Sequence, residues 1–300
     1  MGNMKVLVLF SGGLDSRLAA KILEEQADVE LINFILPFGQ GCCNSHCSLN
    51  FSQKENIRLN IVDCTKSKLL QEYLEIIKNP KFGRGTCFNP CIDCRIFLLK
   101  KAREYAEKNK IEIIATGEVL GERPISQHSK AMKIVEEESK LTGRLLRPLS
   151  AKLLEETEAE KRGEIDRSKL LDISGRSRKR QIELAKKYNI EYPSPGGGCL
   201  LCEEEFCKKL EPLLSNKITE SDIKLLKVGR NFENNNIVLG RNREENEKLE
   251  EIKKEHKNLI LIEPEEPGPS AIIKNKKHLQ QAQELIQKYS KKKIEKFKIR

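Results

Sequence analysis

The chain of 300 residues predicts a doubly wound parallel α/β sheet followed by a second, smaller α+β domain. Two patterns carry that prediction. Apolar strand-like runs alternate with helical spacing through the first half, which means parallel strands covered on both faces. Beyond Leu149 the alternation stops, and charged helical stretches lead into a segment rich in Pro and Gly. The first strand is Lys5–Phe10 (KVLVLF), followed by a helix over Arg17–Gln26 whose Leu18, Ile22 and Leu23 share one face. Glu30–Leu36 and Ile57–Val62 are further strands, and Lys68–Lys78 is helical. Ile92–Lys108 is the clearest amphipathic helix, before a strand at Glu112–Thr116. Ligands of such sheets sit beyond the carboxyl ends of the strands. Function is therefore expected in the loops after Phe10, Leu36 and Thr116.

Lys152–Arg162 reads as a charged helix and Arg178–Tyr188 as another, whereas Tyr192–Cys199 (YPSPGGGC) suits neither helix nor strand. The main boundary is expected between Cys202 and Phe206, dividing the chain into 1–205 and 206–300. The second part predicts strands at Asn236–Gly240 and Leu259–Ile262, a helix at Glu244–Glu255 and a lysine-heavy helical tail. Fifty-five Lys and Arg against 45 Asp and Glu give a net charge of +10, which suits a polyanionic partner such as nucleic acid. A Lys/Glu-rich thermophilic surface has the same composition. No apolar run approaches the roughly 20 residues of a membrane helix, and no secretory leader is recognisable, so a cytoplasmic protein without membrane contact is expected. Ten Cys in such a chain point to metal, cluster or thiol chemistry before structural disulfides.

Ser11-Gly12-Gly13-Leu14-Asp15-Ser16 follows the first strand and opens the first helix. Small residues let backbone amides converge, the helix N-terminus adds positive partial charge, and the Ser hydroxyls add donors. That is an anion cradle. Asp15 makes sense in it if Mg²⁺ accompanies phosphates. No Gly-Lys-Ser/Thr closes the turn, so it is not a Walker loop.

This run resembles the signature of the PP-loop ATP pyrophosphatases, Rossmann-like enzymes that cleave ATP between the α and β phosphates and adenylate a carbonyl oxygen. Thr116-Gly117-Glu118, Arg147-Pro148-Leu149 and Arg178–Ile190 fall where that family keeps its later motifs, so the resemblance covers residues 4–200. Within the family, Asn89-Pro90-Cys91-Ile92-Asp93-Cys94 and Gly196-Gly197-Gly198-Cys199 resemble the tRNA thiolation enzymes, which replace a uridine oxygen by sulfur. The resemblance implies ATP and Mg²⁺ at Ser11, Gly12, Gly13, Asp15, Ser16 and Gly117. It also implies tRNA as substrate, sulfide or a sulfur carrier as donor, and Asp15, Cys91, Cys94 and Cys199 as the catalytic residues. Glu118 and Gln127 flank Gly121-Glu122-Arg123-Pro124, a loop at the strand's carboxyl end that the resemblance puts beside the nucleotide or target base; a structural turn is the alternative. Arg144, Arg147, Arg176, Arg178, Lys179 and Arg180 would close on ATP and bind RNA.

Pro90 sets Cys91 and Cys94 at a helix N-terminus, where thiolates are stabilised, and Cys199 lies on a glycine loop that can approach closely. These three thiols would leave one iron of a [4Fe–4S] cluster open for sulfide. Cys202 adds a second Cys-x-x-Cys, so a structural zinc site of four Cys is the alternative, and metal-free persulfide chemistry a third. Cys42, Cys43, His46 and Cys47 are crowded for one tetrahedral ion and read as accessory thiols. Cys87 could reach the cluster, while Cys64 and Cys207 read as small apolar residues.

Lys227-Val228-Gly229-Arg230 and Val238–Asn246 (VLGRNREEN) resemble the RNA-binding domain of ribosome-quality-control proteins. With few aromatic residues, shape and phosphate contacts are expected to dominate. The combined expectation is an ATP-dependent tRNA sulfurtransferase. A PP-loop ligase acting on a small molecule and a non-catalytic zinc-containing RNA-binding protein are the alternatives.

Overall fold

A computed structural model describes residues 4–39, 45–194 and 198–300. Cys42, Cys43, Gly196, Gly197 and the side chain of His46 lie outside the described residues. The chain divides at Cys202 and Glu203 into two compact units. Among the described residues no helix is long and apolar enough to cross a membrane.

The first unit runs β1 (Lys5–Leu9), α1 (Leu14–Glu24), β2 (Asp28–Ile35), α2 (Ser45–Glu55), β3 (Leu59–Asp63), α3 (Ser67–Lys78), α4 (Cys91–Lys108), β4 (Ile113–Thr116), α5 (Ser129–Ser139), β5 (Leu145–Leu146), α6 (Glu158–Lys161) and α7 (Lys179–Lys187). Its five strands are all parallel, in the order β3-β2-β1-β4-β5. Right-handed crossovers that step outward from β1 to β3 put α1 and α2 on one face; stepping back past β1 to β4 and β5 puts α3, α4 and α5 on the other. Alternate residues of the strands follow suit. Val6, Val8, Leu31, Ile113 and Ala115 pack with Leu18 and Ile22 of α1, Phe51 of α2 and Ala185 of α7. Across the sheet, Tyr73 of α3 meets Phe97 of α4 edge-on. The reversal leaves a crevice beyond the carboxyl ends of β1 and β4, where such sheets take their ligands.

The expected helix at Lys152–Arg162 is corrected to a 3₁₀ turn at Ala151–Leu153 and the short α6. Thr157 is extended and makes a capping box with Glu160, so a helix begins there and cannot run through it.

The second unit contains α8 (Glu204–Leu214), α9 (Glu220–Leu226), β6 (Arg230–Phe232), β7 (Ile237–Leu239), α10 (Arg243–Glu255), β8 (Ile260–Pro264), β9 (Ala271–Ile273), α11 (Leu279–Tyr289) and β10 (Phe297–Ile299). Its sheet is antiparallel throughout, in the order β10-β8-β9-β7-β6. Leu249 and Ile252 of α10 pack on one face, and Ala282 and Ile286 of α11 on the other. The helical tail is corrected too. Ser290 is extended and ends α11, and Phe297–Ile299 forms an edge strand against Ile262–Pro264. The Gly-Arg-Asn stretch has structural work to do here. Asn242 caps α10 by accepting from Glu245 N at 2.9 Å, and Asn246 Oδ1 accepts from Ser270 N at 3.0 Å.

Candidate active site

The chain leaves β1 and turns through Ser11, Gly12 and Gly13 into α1. Gly12 has φ +80°, and a Cβ there would lie 3.1 Å from Ser48 Oγ, so the turn requires glycine. Gly13 precedes α1 without a side-chain cap, which leaves the opening amides of the helix without a side-chain acceptor. Ser11 Oγ lies 3.3 Å from Ser16 Oγ, and Ser16 Oγ donates to Gly13 O at 2.9 Å. The opening amides and the helix dipole thus favour an anion, while both hydroxyl protons are engaged within the turn. Gly117 closes this place from β4. A Cβ on it would stand 2.5 Å from the carbonyl carbon of Asp15 and from Ser16 N.

Asp15 Oδ2 meets Arg178 Nη2 at 3.3 Å, while its buried Oδ1 has no partner. Glu122 lies against the same guanidinium, 3.9 Å from Arg178 Nε, and its buried Oε2 is also unpartnered. Burial raises both carboxyls from their usual values, against the pull of Arg178 and Arg123, and charge on Asp15 raises Glu122 further. Two carboxylate oxygens held out of water without donors are the hard ligands that suit Mg²⁺.

Sequence reasoning passed over Arg17. It holds the turn from behind, donating through Nε to Gly12 O at 2.7 Å, through Nη2 to Cys47 O at 3.1 Å and through Nη1 to Glu191 O at 2.8 Å. Its position directly after the Ser11–Ser16 run is the single signal a sequence offers.

The thiols gather by a different route. Asp93 pins the start of α4 by accepting from the amides of Lys81 and Phe82 at 2.9 and 3.1 Å. Cys199 bridges Gly39, Leu200 N donates to Phe38 O at 3.0 Å, and Phe88 N donates to Leu201 O at 3.1 Å. These bonds bring Cys91, Cys94, Cys199 and Cys202 into one region, where charge on any of Cys91, Cys94 and Cys202 opposes ionisation of Cys199. Their hydrogen bonds go to neighbours. Cys91 Sγ donates to Asn89 Oδ1 at 3.0 Å, Asn89 Nδ2 donates to Cys202 Sγ at 2.7 Å, and the Tyr73 hydroxyl lies 3.3 Å from Cys94 Sγ. Asn89 was part of the sequence motif without a role assigned to it, and Tyr73 was not singled out.

Burial raises the thiols of Cys91 and Cys94 and pushes Cys199 up to about 12. The thiolate stabilisation expected from the helix N-terminus is therefore corrected, because desolvation outweighs it. Among the described residues no three His, Cys, Asp or Glu are gathered as the donor set of a metal ion. The tripod expected of Cys91, Cys94 and Cys199 is not assembled in this arrangement.

Glu118, which flanks the loop expected beside a ligand, is buried in an ion network. Its Oε1 lies 3.0 Å from Arg95 Nε and its Oε2 3.1 Å from Arg147 Nε, while Arg147 Nη1 reaches Glu136 Oε2 at 3.1 Å. Burial pushes the Glu118 carboxyl up, yet Arg95 and Arg147 together hold it below the usual range. Gln127 is buried and accepts from Arg123 N at 3.0 Å. The arginines expected to act together are divided. Arg147 belongs to the network, Arg178 faces Asp15, Arg180 Nη2 pairs with Asp172 at 2.6 Å, and Arg144 Nε donates to Glu112 O at 2.9 Å. Cys64 and Cys207 are buried, and Cys87 is exposed.

A doubly wound parallel sheet carrying this loop on its switch-point strand is a Rossmann-like HUP domain of the PP-loop kind. Residues 4–159, more than half of the chain, match the family model of the tRNA methyl transferase HUP domain, and the chain belongs to that family. It is 29% identical over 136 residues to the tRNA-specific 2-thiouridylase MnmA of Petrotoga mobilis; the match covers 40% of this chain and 36% of that protein. A structural likeness with a TM-score of 0.33 and 21% identity covers 48% of this chain and 69% of a predicted subunit of tRNA methyltransferase from Methanocaldococcus jannaschii.

Proposed function

We propose that the protein is an ATP-dependent tRNA sulfurtransferase, which adenylates a uracil carbonyl oxygen and then replaces that oxygen by sulfur. One observation carries this reading. Arg123 opposes the effect of burial on Asp15 and Glu122 at the loop and on Cys91 among the thiols, so phosphate and sulfur chemistry share one electrostatic neighbourhood. The likeness to a 2-thiouridylase supports it.

In this reading Ser11, Gly12, Gly13 and Ser16 hold the phosphates of ATP, with Gly117 at their back. Asp15 and Glu122 would hold Mg²⁺, which when bound neutralises phosphate charge. Arg178 and Arg123 keep the two carboxylates in place and add positive charge toward the leaving pyrophosphate. The uracil oxygen attacks the α-phosphorus, pyrophosphate leaves, and sulfur then displaces AMP. Cys91, Cys94 and Cys199 would position the incoming hydrosulfide, supplied as sulfide or released by a sulfur carrier; it attacks the adenylated carbon, loses its proton to solvent and expels AMP, so no thiol is oxidised. A uridine within folded tRNA must leave its stack to reach both places.

The test is the full chain with ATP, Mg²⁺, sulfide and an unmodified tRNA transcript. Nucleoside mass analysis should find thiouridine, with AMP and pyrophosphate in equal amounts, and Asp15→Ala should stop pyrophosphate release. Release that ignores tRNA and yields no thiouridine would replace this reading with a small-molecule ligase.

A further inference from the structure

The C-terminal unit neutralises much of its charge internally. Arg243 pairs with Glu247 at 2.8 Å, Lys248 with Glu244 at 2.6 Å, Lys254 with Glu250 at 3.3 Å and Lys274 with Asp222 at 2.5 Å. Other lysines are in no ion pair of the described residues, and one cleft groups three of them around an apolar floor. This cleft of about 400 Å³ lies between the end of α10, the start of α11 and the strands β8, β9 and β10. Lys253, Lys257 and Lys276 stand on its rim, and no Asp or Glu side chain lines it. None of these three lysines takes part in an ion pair of the described residues, although Arg300 beside them is paired with Glu263 at 2.6 Å. The floor is aliphatic, with Ile260, Leu279 and Ile299. Ile299 is 50% exposed, more than any other large apolar residue described.

Unpaired cations around an apolar floor define the ligand. An inorganic anion would leave the floor wet, and a neutral apolar molecule would leave the cations unused. The volume sits near the lower end of the roughly 300–1,000 Å³ of small-ligand sites, enough for one base and its sugar. A base-paired nucleotide hides its faces in the stack, whereas an unpaired one presents an apolar face with a phosphate on either side. We propose that this cleft binds a single unpaired nucleotide of RNA, its base on Ile260, Leu279 and Ile299 and its flanking phosphates at Lys253, Lys257 and Lys276. The choice of RNA rests on the tRNA substrate proposed for the enzyme. It differs from the expectation that shape and phosphate contacts dominate, because the floor reads a base.

Binding of fluorescent hexauridylate to the full chain, without ATP or a sulfur donor, tests the cleft. Lys253→Gln, Lys257→Gln and Lys276→Gln together should weaken binding at least tenfold near 0.15 M salt and flatten its salt slope by about 2, at about 0.7 per phosphate. Ile299→Ala alone should weaken binding about fivefold and leave the slope unchanged, since it removes floor and no charge. A blunt RNA duplex should lose far less in the Ile299→Ala protein. Unchanged hexauridylate binding in both variants overturns the proposal, as does an equal loss for the duplex. Binding of phosphatidylglycerol vesicles in preference to RNA, lost in the same variants, would assign the cleft to a membrane instead. The experiment can fail while thiolation stands, and succeed while thiolation fails.

Discussion

The loop at Ser11–Ser16 and the thiol region around α4 stand at different stages of readiness. The loop is fixed by backbone: a left-handed Gly12, an uncapped helix start and Arg17 bonded to three carbonyls leave it little to rearrange. Its helix-start amides have no side-chain acceptor and a fixed backbone behind them, which is what electrostatic preorganisation requires. The thiols are near one another, yet Cys91 and Cys94 are each occupied by a neighbour and, with Cys199, held protonated by burial. An anion site can be finished by folding alone. A sulfur site needs something further, a proton lost or a ligand gained, before it can act.

The largest effect should come from the network that ties the two regions together. Arg147→Met leaves the buried Glu118 with Arg95 as its remaining guanidinium, and breaking such a pair costs about 3–5 kcal/mol. Urea unfolding of the full chain should show that loss, and a change below 1 kcal/mol would mean the network is not what joins β4 to α4. Gly117→Ala separates the regions instead. It should cut pyrophosphate release about 100-fold, near 2.7 kcal/mol, by pushing Asp15 and Ser16 out of place. Alkylation of the thiols should be unaltered, and a parallel loss there would erase the contrast between the regions.

A smaller effect concerns pH. Folding raises the Cys199 thiol from 9.0 to about 12, so above pH 9 the unfolded chain loses this proton first. The contribution is complete below pH 9, and stability falls as pH rises from there toward 12. Cys199→Ser should shallow that fall in denaturant titrations; an identical slope would place the thiol in water. The least effect is expected of Tyr73→Phe, which removes the hydroxyl beside Cys94 and, with it, about 1 kcal/mol of hydrogen bonding. Alkylation at Cys94 should slow several-fold, since that hydroxyl opposes the effect of burial. Faster alkylation would show that the ring's bulk, not its hydroxyl, governs access.

What could be seen in the sequence was whatever is local. Ser11–Ser16 is legible because strand, turn and helix start are contiguous, and the start of α4 because Pro90 announces it. Arginine fates were not legible. Arg147 and Arg178 have the same side chain, but one meets a buried Glu118 and the other Asp15, and only the folded sheet decides which. The roles of Asn89 and Tyr73 were missed for the same reason, as their sulfur partners come from elsewhere in the chain. The lysine-rich tail misled because three residues of edge strand, Phe297–Ile299, are too short for an alternation to register.

Arg17 donates to the carbonyl of Glu191, 174 residues later. The family match ends at residue 159, and Arg178, the partner of Asp15, also lies past that point. At about 5–20 residues per second, the motif emerges from the ribosome roughly 10 to 35 seconds before the residues that lock it. A nascent chain therefore carries the written signature well before it owns a working loop. Timing of synthesis, as much as composition, decides when the N-terminal sixth of this protein can first grip a nucleotide.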